Sequence, residues 1–161
     1  MEPGRKTRLR VLRGYDEDNP GHSAVLAMVR IVRSFTDAHT RVAREHDLNL
    51  PRLEVLLCLR AGEGISQQEL SKRLLVTKGN VSMTLKAMEA EGLVERRMDV
   101  VDQRAHRLYL TNAGRQRLAK TMPALEALMA GMLGELSSDE QRTLRRLIGR
   151  IEQALDDVAD E

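Results

Sequence analysis

From residue 22 the apolar positions fall into helical step. Val25, Met28, Val29, Val32, Phe35, Ala38 and Val42 recur at three- and four-residue intervals, and Ala24, Leu26, Ala27 and Ile31 widen the stripe. The pattern predicts a long helix over residues 22–45, apolar on more than one side, which calls for more than one neighbour. Asp47, Leu48 and Asn49 break it. A second helix over residues 50–60 carries Pro51 in its first turn, where a missing N–H costs nothing. Leu53, Leu56, Leu57 and Arg60 share a face of it, and Gly62 and Gly64 end it.

Ile65 stands alone before Ser66-Gln67-Gln68-Glu69. There Ser66 and Glu69 have the spacing at which each satisfies the other's free backbone N–H. The helix they open reaches about Leu75. After a brief turn, Thr77 caps another helix that runs to Glu91 and stops at Gly92. The period then changes to two. Residues 93–97 read as a strand, residues 98–105 as a charged excursion, and residues 106–110 as a second strand with Leu108 and Leu110 on one face and Arg107 and Tyr109 on the other. Thr111 caps a helix to about Leu136, which Pro123 should kink or split. Ser137 and Glu140 repeat the capping-box spacing before a last helix to about Val158. Its seam is Leu144, Leu147, Ile148, Ile151, Leu155 and Val158.

The helices on either side of the short turn share a packing face of Leu70, Leu74, Val81, Leu85 and Met88, the arrangement of a helix-turn-helix. The second of them starts with small and polar residues: Thr77, Lys78, Gly79, Asn80, Ser82, Met83 and Thr84. Hydroxyls reach phosphates, Asn reads an adenine edge, Lys reads guanine or phosphate, and Gly79 lets the backbone approach closely. Ser66 and Lys86 complete this set. The strand–loop–strand that follows forms a wing whose tip holds Asp99, Asp102, Gln103 and Arg104. An Arg in a narrow minor groove meets concentrated negative potential, and Asp102 fits beside it if it pairs with Arg104 or Arg96. Arg96 and Arg97 are either phosphate contacts or a solvated strand end. The long flanking helices exceed what a monomeric winged helix needs, and point to a dimer interface built from both chain ends.

Composition adds less. The chain has 161 residues, 42% hydrophobic and 31% charged, with a net charge of +2, which permits a nucleic-acid partner without requiring one. Only Tyr15, Phe35 and Tyr109 are aromatic, so the core must be aliphatic and filled by Met. Arg5, Lys6, Arg8, Arg10 and Arg13 make residues 1–21 a basic arm, either a disordered tail or a source of phosphate contacts. The single cysteine, Cys58, excludes an internal disulfide framework and reads as a buried thiol, with a redox role as the alternative. No signal peptide or membrane span is evident, and a soluble cytoplasmic protein is expected. His39 and His46 lie seven residues apart beside Glu45, but no ligand spacing supports a metal, and no cofactor is expected. No nucleophile–base pair, phosphate loop or carboxylate dyad points to an enzyme.

The run Gln68-Glu69-Leu70-Ser71-Lys72-Arg73-Leu74, then Lys78-Gly79-Asn80-Val81-Ser82, then Glu89-Ala90-Glu91-Gly92-Leu93-Val94-Glu95-Arg96-Arg97 resembles the MarR family. Asp102-Gln103-Arg104 followed by Leu110-Thr111-Asn112-Ala113-Gly114 is the most diagnostic part, and the similarity extends over residues 22–158. The resemblance implies a mainly α fold with a small β wing (α+β): a winged helix-turn-helix over residues 47–111, an N-terminal dimerisation helix over 22–46 and C-terminal dimerisation helices over 112–161. It implies a homodimeric regulator in the bacterial or archaeal cytoplasm, on the nucleoid. Such a regulator is usually a repressor on a pseudo-palindromic duplex, released by a small-molecule effector. Major-groove contact maps to residues 77–84 and minor-groove contact to Arg104, supported by Asp102. Many members have Arg where this chain has Met83, so a different sequence preference is expected there. The implied effector cleft lies between the dimer helices and the DNA module, with Phe35, His39, Leu53 and Met122 as candidates.

Overall fold

The computed structural model describes residues 14–99 and 105–159. Along them run α1 (Pro20–Glu45), α2 (Leu50–Ala61), α3 (Gln67–Arg73), α4 (Lys78–Ala90), β1 (Val94–Met98), β2 (His106–Leu110), α5 (Asn112–Leu133) and α6 (Ser138–Ala159). The fold is mainly α with one small antiparallel sheet, as the periodicity predicts. The chain divides into two units, residues 1–41 and residues 42–161, and the division falls inside α1.

In the first unit, α1 is opened by Asn19. Its side chain accepts from the backbone N–H of Gly21 at 2.9 Å and of His22 at 3.2 Å, two of the donors that a helix start leaves free. Further along, Ile31, Val32 and Phe35 are exposed.

In the second unit, α2 is the centre. Leu53, Val55, Leu56 and Leu59 are buried there and Leu57 is half-buried against the same core, whereas Arg60, on the face that the periodicity gives to Leu53, Leu56 and Leu57, is exposed. The difference arises because α2 meets α3, α4, α5 and β2, and so buries more than one stripe. The capping box forms: Ser66 Oγ accepts from the Glu69 N–H at 3.2 Å, and Glu69 Oε2 accepts from the Ser66 N–H at 2.7 Å. The sheet pairs Val94 with Leu110 and Met98 with His106. Ile65 adds a one-residue bridge to Leu108, with bonds of 2.9 Å in both directions across residues 64–65.

The ends of α1, α3 and α4 share one device. A residue with positive φ (Asp47 at 55°, Leu75 at 54°, Gly92 at 67°) turns the chain back. The next N–H then bonds the carbonyl five residues earlier: Leu48 to Ala43, Val76 to Ser71, Leu93 to Met88. This turn ends α3 at Arg73, ahead of the predicted Leu75. α5 runs through Pro123 unbroken. The carbonyl that loses its helical partner there belongs to exposed Ala119, where water can serve it. The Ser137–Glu140 capping box forms as predicted, with bonds of 2.8 and 3.4 Å between each side chain and the other's backbone N–H. Every residue from Ser138 to Val158 is exposed.

Candidate nucleic-acid interface

The geometry of α4 follows from its buried seam. Val81, Leu85 and Met88 pack inward, and Leu70 of α3 meets them. At about 100° per residue, this turns Lys78, Gly79, Ser82, Met83 and Lys86 outward or sideways, and all five are exposed, with Asn80. Thr77 caps the helix, its hydroxyl accepting from the Asn80 N–H at 3.4 Å. No acidic residue lies in the first turn, so the partial positive charge of the helix start adds to that of Lys78. The side chains of Lys78, Asn80, Ser82 and Lys86 make no hydrogen bond or ion pair among the described residues. Thr84 differs: half-buried, it donates back to the Asn80 carbonyl at 3.0 Å. Ser66 is held in its capping box, at the start of α3.

The roots of the wing are tied to the helices by charge. Arg96 bonds Glu89 on α4, and its Nη2 donates to Gln67 on α3 at 3.1 Å. Arg107 bonds Asp99, and its Nη1 reaches Glu69 Oε2 at 3.3 Å. Arg97 bonds Glu95 and stacks 4.4 Å over the Tyr109 ring. Two of these clamps, through Arg96 and Arg107, fix the sheet against α3 and α4, a role that spacing along the chain does not reveal. The one sign of it in the sequence is the alternation that turns Arg107 away from the core. Asp102 and Arg104 lie outside the described residues, as do residues 1–13 of the basic arm.

A further tie holds the loop after α2. Glu63 accepts from the Leu110 N–H at 2.9 Å and from Arg115 at 2.6 and 3.0 Å. The Arg115 guanidinium holds the Glu63 carboxyl below its usual value of 4.5, with burial opposing and the Leu110 N–H assisting.

The effector candidates fall in different units. In the first, Phe35 and His39 stack with centroids 3.8 Å apart, and His39 Nδ1 lies 2.9 Å from the Phe35 carbonyl oxygen. In the second, Leu53 is fully buried in the core, and Met122 is half-buried against it. Cys58 is a half-buried free thiol packed on the same core. Among the described residues no cluster of His, Cys, Asp or Glu is arranged to hold a metal, and no helix is long and apolar enough to cross a membrane.

A helix pair over a central helix, with an outward polar helix start and a two-stranded wing, defines the winged helix-turn-helix class. A MarR family model matches residues 46–105. The chain is 31% identical over 105 residues to the transcriptional regulator HosA of Escherichia coli O127:H6, covering 65% of this chain and 78% of HosA. It is 35% identical over 118 residues to the HTH-type transcriptional regulator TtmR of Methylorubrum extorquens, covering 73% of this chain but only 60% of that relative's length. Among solved structures, a MarR family transcription regulator superposes with a TM-score of 0.81 at 23% identity, covering 90% of this chain and 96% of that one. The Mycobacterium tuberculosis regulator MOSR, in complex with DNA, gives 0.64 at 26% identity, covering 84% and 97%. The chain belongs to the MarR family. The relatives named here are transcription regulators, a class without enzymatic turnover.

Proposed function

We propose that the chain is a dimeric, sequence-specific DNA-binding repressor. Two copies of α4 enter successive major grooves of a pseudo-palindromic operator, about 34 Å apart. The observation that carries this reading is the outer face of α4, where Lys78 and Asn80 at the helix start and Ser82 and Lys86 further along stand exposed, their side chains unengaged among the described residues. The DNA complex of MOSR supports it. Arg104 enters the minor groove beside its support Asp102, and Arg96 and Arg97 stay with the wing root. The apolar seams of α1 and α6 meet the second copy.

A small-molecule effector releases the operator. By linkage it binds the DNA-free dimer better, and DNA weakens its binding by the same factor. Phe35 and His39, stacked on each other in α1, are its candidates; Leu53, with no exposed surface, is not. The protein works in the cytoplasm, on the chromosome.

Selection of genomic fragments with purified protein tests this reading. A retained fragment carrying an inverted repeat is expected, with binding weakened by Arg104→Ala while the dimer persists. Failure to retain any fragment at physiological salt would overturn it.

A further inference from the structure

On α4, opposite the buried seam, lies a row of residues whose composition the fold does not explain. Met83 stands about 140–200° round the helix from Val81, Leu85 and Met88 and is 74% exposed, a long apolar side chain in water. Gly79 lies one turn before it on the same ridge. A Cβ at Gly79 meets nothing within 4 Å. Its φ is not positive, since the residues with positive φ lie elsewhere. Nothing among the described residues requires glycine there, and glycine is a weaker helix former than alanine. The two positions together make a notch with an apolar wall, set among Lys78, Asn80, Ser82 and Lys86.

A polar, cationic helix face that keeps one apolar notch fits a polar, anionic surface that carries one apolar group. In the major groove of B-DNA that group is the thymine C5-methyl. We infer that Gly79 and Met83 together receive a thymine methyl. Each half-site then contains one A·T pair whose thymine side faces the middle of α4. Met83 supplies the contact, and Gly79 supplies the room for the base edge to come close enough. This inference rests on the proposed placement of α4 in the major groove. It goes further by naming the base, its orientation and the two residues that read it.

The test uses the full chain and a fragment retained in genomic selection. Each thymine of the site is replaced in turn by deoxyuridine, which removes only the methyl group. Wild type is expected to lose roughly four-fold in affinity at one thymine per half-site, the scale of one buried methyl. Changing both half-sites should cost about fifteen-fold. Met83→Ala should bind the thymine site more weakly and be indifferent to deoxyuridine at that position. Gly79→Ala, which fills the notch, should lower affinity without lowering the melting temperature. A wild type indifferent to every replacement overturns the inference, as does a Met83→Ala protein that keeps the full methyl dependence. In both cases DNA binding itself stands. Retention of no fragment ends the inference and the DNA-binding reading together.

Discussion

Gly114 lies so close under Leu93 that a Cβ on it would stand 2.1 Å from the Leu93 carbonyl oxygen. That oxygen already accepts from the Thr111 N–H at 3.2 Å. Thr111 in turn donates its hydroxyl to the Gly92 carbonyl at 2.5 Å and accepts from the Gly114 N–H at 3.0 Å. The start of α5 is thus laid directly on the turn that leaves α4. Neither backbone can move without shifting α4 or the wing. Gly114→Ala should therefore destabilise by about 3 kcal/mol, the upper end of overpacking costs, as read by urea denaturation. A loss below about 1 kcal/mol would show that the junction yields.

Glu63 ties the loop after α2 to β2 and α5, and the Arg115 guanidinium keeps its carboxyl below 4.5. A carboxylate with a depressed folded value adds stability above the unfolded value. That stability disappears as pH falls through the lower, folded one. Wild type should begin to lose it below about pH 4.5, the ordinary glutamate range. Glu63→Gln should be less stable at pH 7, by no more than about 1 kcal/mol because Arg115 is half exposed and solvent screens the pair. Its stability should also change less between pH 5 and pH 3. Parallel pH profiles for the two proteins would remove Glu63 from the account.

Leu75 holds a left-handed conformation with φ of 54° and is 91% exposed. A Cβ there costs roughly 1–2 kcal/mol, and its side chain recovers almost nothing by packing. Leu75→Gly should raise stability by about 1 kcal/mol, less the added freedom of the unfolded chain. Thermal unfolding measures it. A lower melting temperature would mean that the side chain has a partner in the working protein.

The seam of α6, Leu144, Ile148, Ile151, Leu155 and Val158, repeats at alternating four- and three-residue steps, the spacing that pairs helices. Each of these residues is 40–71% exposed. Soluble monomers rarely leave so continuous an apolar stripe uncovered. Ile148→Glu with Ile151→Glu should convert a dimer to a monomer in sedimentation velocity. Operator affinity should fall with it, because two linked reading helices gain from each other's presence. A wild type that sediments as a monomer at micromolar concentration would contradict the dimer.

Most of the architecture is legible in the sequence because it is written in local chemistry. The caps at Ser66, Thr77, Thr111 and Ser137, the stop at Gly92 and the alternation at Leu108 and Leu110 each depend on neighbours within a few residues. The inner face of α2 was only partly legible, because burial on several sides erases the one-sided period. The end of α3 is not legible, because the left-handed residue is Leu75, which carries no turn signal. On the interface, the outward set on α4 could be read from spacing. The clamps of Arg96 to Gln67 and of Arg107 to Glu69 could not, since they join residues 29 and 38 apart in the chain. The clash beneath Gly114 was visible only as a motif, Leu-Thr-x-x-Gly, whose reason needed coordinates.

The central claim is that the outer face of α4 holds DNA. It is tested most directly by the salt dependence of binding to a retained genomic fragment. Affinity should fall linearly with salt on logarithmic axes, with a slope of about −0.9 per neutralised phosphate. Lys78→Ala should weaken binding across sequences and flatten that slope by about one for each subunit engaged. A Lys78→Ala protein with wild-type affinity and an unchanged slope would contradict the account.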